Sequence, residues 1–297
     1  MRVEKRLLSS SRELEKAIYK YMFKGGERYD VIQSLKMYQN SDGGFGQGLE
    51  PDFWMKESSA IATSIGLSHL VKVDHDSEAK KMIKKAIAYL EDTFDGERFG
   101  WYAVSEKVND YPRAPWWEYD KETGRTMIDN HWGNPTAELI GYLVRYKRYL
   151  KKLNTHDLIE YAITHYIKES KLESEHEIYC YIRLYHQLDK KNQQRLYARL
   201  KEAVSHLINP EMDQWTNYVP MPLNFIHMDS DETFDIDVKD MQNNLDYFVD
   251  KLTDIGCFEP AWAWGTYKNE WIVSKEHWTG ILTLQVLQKL KQFNRLT

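Results

Sequence analysis

The sequence predicts an all-α chain, folded as one α/α toroid (α/α barrel) of about five to six helical hairpins across residues 1–297. Three observations predict it. Apolar residues recur at helical spacing along most of the chain, and strand-like alternation is rare. Nearly charge-free segments alternate with half-charged ones. Turn residues followed by an aromatic recur between them.

The elements follow in chain order. Ser10-Ser11-Arg12-Glu13 reads as a capping box opening a first helix to Phe23, and Gly25-Gly26 ends it. A second helix runs from Glu27 to Tyr38. The third, Ser58 to Lys72, carries no charge before Lys72 and is rich in small residues, so it must be enclosed on all sides. The next, Ser77 to Asp92, sets Lys80, Lys81, Lys84 and Lys85 against Met82, Ile83, Ile87 and Leu90. Asn134-Pro135 is an N-cap followed by proline, opening an apolar helix to Leu150. Thr155 starts an amphipathic helix, and Ser174 with Glu177 caps one that ends near Leu188. Amphipathic helices then cover 193–207 and 238–252, and a last one covers 274–293. The Pro220–Met228 stretch or the N-terminal helix completes a sixth pair.

Each junction holds a turn residue and then an aromatic: Gly44-Phe45, Gly100-Trp101, Asn209 to Trp215, and Gly256 to Phe258. A single hairpin cannot enclose its own inner helix, so neighbours must stack around it. The long loops all follow outer helices and gather at one end, where any site belongs. Ala103 to Gly133, with Pro112, Pro115, Trp116 and Trp117, reads as an ordered flap.

Composition excludes several classes. The net charge is −5, with no basic footprint for nucleic acid. The longest charge-free stretches, Ser58–Val71 and Gln214–Met228, are too short to cross a membrane. Met1 to Ser11 lacks the apolar core of a signal peptide. Cys180 and Cys257 form no spacing motif, which fits a cytoplasmic protein without a disulfide framework. The chain has 10 Trp and 20 Tyr; clusters of such rings mark pockets, interfaces or plain core.

The stretch Tyr38-Gln39-Asn40-Ser41-Asp42-Gly43-Gly44-Phe45-Gly46 resembles the Q-x-x-D-G-G-[FW]-G repeat of the squalene cyclase and protein prenyltransferase superfamily. Similar turns occur in some α/α-toroid pectate lyases. The continuation Gly48-Leu49-Glu50-Pro51-Asp52 looks like a bacterial branch of prenyltransferase-like proteins. The resemblance implies a toroid in which Gln39, Gly44 and Phe45 tie hairpins together, and an isoprenoid-like substrate in an aromatic cavity. The superfamily's chemical motifs do not carry over. Asp235-Ile236-Asp237 supplies only two carboxylates of a D-x-D-D acid motif and suits a helix cap. Neither cysteine has the aspartate two residues before it that a prenyltransferase zinc site uses, and D-D-x-x-D is missing. No metal or cofactor is expected.

Several residues could carry chemistry at the loop end. Glu50 and Asp52 lie just before the most enclosed helix, where one raised and one ionised carboxyl would make an acid/base pair; they equally suit a capped turn. Glu138 lies one turn inside the helix opened by Asn134. His131 is a candidate base and Asn130 a substrate-orienting amide. Trp54, Trp116, Trp117, Trp132, Trp262, Trp264 and Trp278 are candidate pocket walls or junction packing. Glu175-His176-Glu177 with His186 reads as cap and surface. An aromatic pocket with carboxylates suits an isoprenoid-like substrate, an oligosaccharide cut by a hydrolase or lyase, or a small ligand bound without chemistry.

Overall fold

The computed structural model describes residues 2–228 and 230–296. Among these it forms eleven α-helices: Arg2–Ser10 (α1), Glu13–Phe23 (α2), Arg28–Lys36 (α3), Ala60–Leu70 (α4), Ser77–Asp92 (α5), Gly133–Arg145 (α6), Thr155–Lys168 (α7), Glu175–Tyr185 (α8), Lys190–Leu207 (α9), Val238–Asp254 (α10) and Lys268–Gln292 (α11). Only isolated bridges represent β structure. The chain is all-helical, as its periodicity requires.

The chain packs as two compact units, Met1–Ser34 with Val204–Thr297, and Leu35–Ala203. In the second, α6 packs chiefly on α8, and also on α4 and α7. Every residue of α6 from Gly133 to Leu143 is buried. Helix α4 buries Ala60, Ala62, Thr63, Ser64, Gly66, Leu67 and Leu70, while Ile61, Ile65, Ser68 and His69 on its other side are half-buried and no residue of it is exposed. Helix α5 instead exposes Lys80, Lys81, Lys84 and Lys85 while burying Met82, Ile83, Ile87 and Leu90. The contrast between enclosed and half-wet helices is therefore real within this unit.

Three of the four junctions share one device; at the fourth, the Trp215 N–H donates to the Met212 carbonyl at 3.3 Å. The Phe45 backbone N–H donates to Thr63 Oγ1 on α4 at 3.0 Å. The Trp101 N–H donates to Thr136 Oγ1 on α6 at 3.1 Å. In the first unit, the Phe258 N–H donates to Thr283 Oγ1 on α11 at 2.9 Å. Each of these three loops thus enters on an aromatic whose amide is satisfied by a threonine of the helix that follows. Gln39 adds a second tie, its amide donating to the Gly43 and Met82 carbonyls, both at 2.9 Å.

Phe45 is fully buried because α4 offers it Gly66. A Cβ there would lie 2.5 Å from the ring. Helix propensity alone would make Gly66→Ala stabilising by about 1 kcal/mol. The close approach reverses the sign. Gly66→Ala is expected to lower unfolding stability by about 1–3 kcal/mol through overpacking, read from urea unfolding beside the wild type.

In the first unit, α11 packs on α1, α2 and α10. Asp237 caps α10, its Oδ1 accepting from the Lys239 N–H at 2.7 Å. Two expectations are corrected. The segment Arg2–Ser10 is a helix of its own, and Arg12, not a serine, stands at the N-cap of α2. Ser11 cannot serve there because its Oγ fills the space over Gly280, 2.4 Å from where a Cβ would sit. Helix α11 also begins earlier than expected, at Lys268, directly after Tyr267 in a left-handed conformation. The Pro220–Met228 stretch forms a short 3-10 turn, Pro222–Phe225, held where the Leu223 N–H meets Asn244 Oδ1 on α10 at 2.9 Å.

Candidate functional site

The turn carrying Glu50 and Asp52 is fastened to the flap. The Ala114 N–H donates to the Asp52 carbonyl at 2.8 Å and the Trp54 N–H to the Pro112 carbonyl at 3.0 Å. The Phe53 ring meets Trp117 edge-on at 4.9 Å. Both carboxylates are buried, and Glu50 Oε1 accepts the Asp52 N–H at 3.1 Å. Trp117 is buried, while Trp54 and Trp116 are half-buried. The flap's far end hangs on Asp129, whose Oδ1 accepts from Ala103 N at 2.7 Å and whose Oδ2 accepts from the Thr126 hydroxyl at 2.7 Å.

Asn130 is exposed and His131 half-buried. Trp132 is buried, its indole N–H donating to the Arg98 carbonyl at 3.0 Å and its ring set against His165 at 4.6 Å. That places Trp132 in junction packing, with its polar handle used.

Glu138 belongs to a polar cluster shared by α6 and α8. Asn134, Glu138 and Tyr142 stand four residues apart, hence on one face of α6. His176, Cys180 and Arg183 occupy the corresponding face of α8 at spacings of four and three. Glu138 Oε1 accepts the Tyr142 hydroxyl at 2.6 Å, and its Oε2 accepts from Arg183 Nη1 at 3.0 Å. The Cys180 thiol lies 3.8 Å from Asn134 Oδ1 and 3.9 Å from Glu138 Oε2.

Electrostatics assigns protons within this cluster. Burial, then the Glu138 charge, pushes the Tyr142 phenol and the Cys180 thiol up, so both stay protonated. Burial alone would lower the Arg183 pKa, but Glu138, with Cys180 and Tyr142 beside it, raises it on balance, so the guanidinium stays charged. Burial lowers the pKa of His176; the Glu175 charge opposes this and the Arg183 charge adds to it. Yet 48% of the His176 side chain and 46% of the Arg183 side chain remain accessible. Both side chains therefore stand at the surface, at the edge of the buried Glu138–Tyr142–Cys180 cluster. His131 and Glu138 thus join one neighbourhood through His176 and Arg183, whereas Glu50 and Asp52 are tied to the flap.

Three of these residues, Arg183, Cys180 and Tyr142, escape sequence reasoning, because they sit inside largely apolar helices without a recognisable motif. His176 is exposed, in line with its reading as surface, whereas Glu177, read with it as cap and surface, is buried. The usable signal is the polar spacing on helices otherwise expected to be enclosed.

In the first unit, Trp262 is half-buried. It meets Tyr218 at 5.4 Å and Trp278 at 5.1 Å, both edge-on. Its indole N–H is enclosed without a hydrogen-bond partner among the described residues. Trp264 is buried and tilts against Trp271 at 5.7 Å. Among the described residues, no group of three or more His, Cys, Asp or Glu is placed to hold a metal ion, and no helix is long and apolar enough to cross a membrane. Comparison of the chain with protein-family models, with curated proteins and with solved structures finds no match.

Proposed function

We propose that the chain is an α/α-toroid enzyme that acts on an uncharged oligosaccharide by acid/base chemistry at the α6–α8 face. The toroid reading rests on the alternation of enclosed and half-wet helices and on the aromatic-to-threonine junction, which recurs in both units.

The observation that carries the functional reading is the Glu138–Arg183–Tyr142 cluster with water-reached Arg183 and His176 beside it. Such a face offers donors and acceptors in the density that hydroxyl groups need. His176, neutral at neutral pH, supplies a base, and Glu138 a carboxylate oriented by two donors. An isoprenoid carbocation fits this face less well, because Arg183 places a permanent cation there and like charges repel. The Tyr218–Trp262–Trp278 group favours the isoprenoid reading instead, since aromatic faces attract cations.

A thermal-unfolding panel separates the readings. Neutral oligosaccharides at high excess are expected to raise the midpoint by about 5 °C or more, as binding to the folded state alone requires. A shift with prenyl diphosphates only would replace the sugar reading by the isoprenoid one. A sugar that binds and is recovered uncut would make the protein a carbohydrate-binding one.

A further inference from the structure

Unit Leu35–Ala203 has a second polar concavity, a surface cleft of 380 Å³ lined by Asp74, His75, Lys80, Arg145, Tyr146 and Arg148. Its floor is fixed in advance. Asp74 Oδ2 accepts from Arg145 Nη2 at 2.9 Å and from the Tyr146 hydroxyl at 2.9 Å. Arg145 Nε is shared between Asp74 Oδ2 and the Tyr146 oxygen, both at 3.3 Å. The cleft's one carboxylate is therefore already occupied by a guanidinium and a phenol. Burial, then the Asp74 charge, keeps the Tyr146 phenol protonated.

What remains is positive. Arg148 lies over the Tyr149 ring at 4.8 Å, which restricts where its guanidinium can go. Lys80 stands on the exposed face of α5 and His75 on the turn before it, both open to solvent. Neither Lys80 nor Arg148 has an ion-pair partner among the described residues. Two uncompensated cations and the outer N–H groups of Arg145 thus surround a space of metabolite size. Forked guanidinium donors match phosphate oxygens as they match a carboxylate, and the lysine and second guanidinium beside them favour the more highly charged phosphate over a carboxylate or a halide.

We propose that this cleft binds the phosphate group of a small soluble phosphorylated ligand. The site is independent of the α6–α8 face and does not rest on the carbohydrate reading. The preformed Asp74–Arg145–Tyr146 floor means that little ordering of that part opposes binding.

The test is isothermal titration of the full chain with inorganic pyrophosphate at low and at moderate salt. Saturable binding that weakens with salt is expected, because screening acts on exposed charges. Arg148→Ala and Lys80→Ala change only surface side chains and should each weaken binding about tenfold, the loss of one charge-assisted contact. Lys84→Ala, on the same helix outside the cleft, should leave it unchanged. No saturable heat with the wild type, or equal weakening by Lys84→Ala, would overturn the proposal. Binding to vesicles carrying phosphatidic acid without binding of pyrophosphate would overturn it too.

Discussion

Replacing Arg12 by methionine is expected to cost about 3–5 kcal/mol of stability, the largest single effect in the molecule. Arg12 and Glu15 form a two-pronged ion pair, Nε to Oε2 at 2.8 Å and Nη2 to Oε1 at 2.7 Å. Their side chains are only 6% and 2% accessible. Removing the cation strands a carboxylate that water cannot reach, and it must then remain charged at high cost or take up a proton. The pair itself need not stabilise the fold relative to apolar residues. The double variant Arg12→Met with Glu15→Leu is therefore expected to recover most of the loss. Chemical unfolding of the two single variants and the double one measures this directly. Additive losses would show that the pair is not coupled.

The second large effect concerns pH. His277 lies beside that pair, and burial lowers its pKa from 6.5 to about 4, with Arg12 lowering it further and Glu15 opposing. Above pH 6.5 the imidazole is neutral in both the folded and the unfolded chain and contributes no dependence. Between pH 6.5 and 4 the unfolded chain binds a proton that the folded chain does not. Stability should then fall by about 1.4 kcal/mol per pH unit at most. The total is about 2–3 kcal/mol once partial exposure is discounted. Below pH 4 this contribution is fully lost. His277→Gln should flatten the midpoint across that window. An unchanged slope in the variant would assign the dependence to other groups.

Much of the secondary structure is readable because local chemistry announces it. Ser77–Asp92 is bounded as expected, since Asp76 caps its start, Oδ1 accepting from Glu78 N at 2.8 Å, and its lysines and apolar residues fall on opposite faces. Asn134 likewise marks the opening of α6, its backbone still non-helical at φ −103° and ψ 107°. Ser174 caps α8 through the Glu177 N–H at 3.3 Å. The start of α2 misleads because Ser10 and Ser11 have the right chemistry but their partners lie elsewhere: Ser10 bonds the Arg6 carbonyl at 2.8 Å, and Ser11 meets Gly280.

The candidate site is less legible. Its ties link positions at irregular separations. The threonine that satisfies each entering aromatic comes 18, 35 or 25 residues later, so no fixed spacing reveals it. Glu138 is visible as a carboxylate one turn into an enclosed helix, but Arg183, 45 residues on, decides its company. A long basic side chain on a helix reads as solvated, and Arg183 is indeed exposed; only packing shows that its guanidinium reaches the buried Glu138. Trp132 reads as a pocket wall by type, whereas its used N–H and its ring contacts put it in the packing between elements.

The most direct measurement is the oligosaccharide-induced rise in unfolding midpoint, compared between the wild-type chain and Arg183→Ala. Arg183→Ala is expected to lower the unliganded midpoint, because Glu138 is buried and keeps only the Tyr142 hydroxyl and the weak Cys180 thiol as donors; if the ligand lies on the α6–α8 face, the sugar-induced shift measured from that lower midpoint disappears. An undiminished shift in the variant would place any sugar elsewhere and contradict the account.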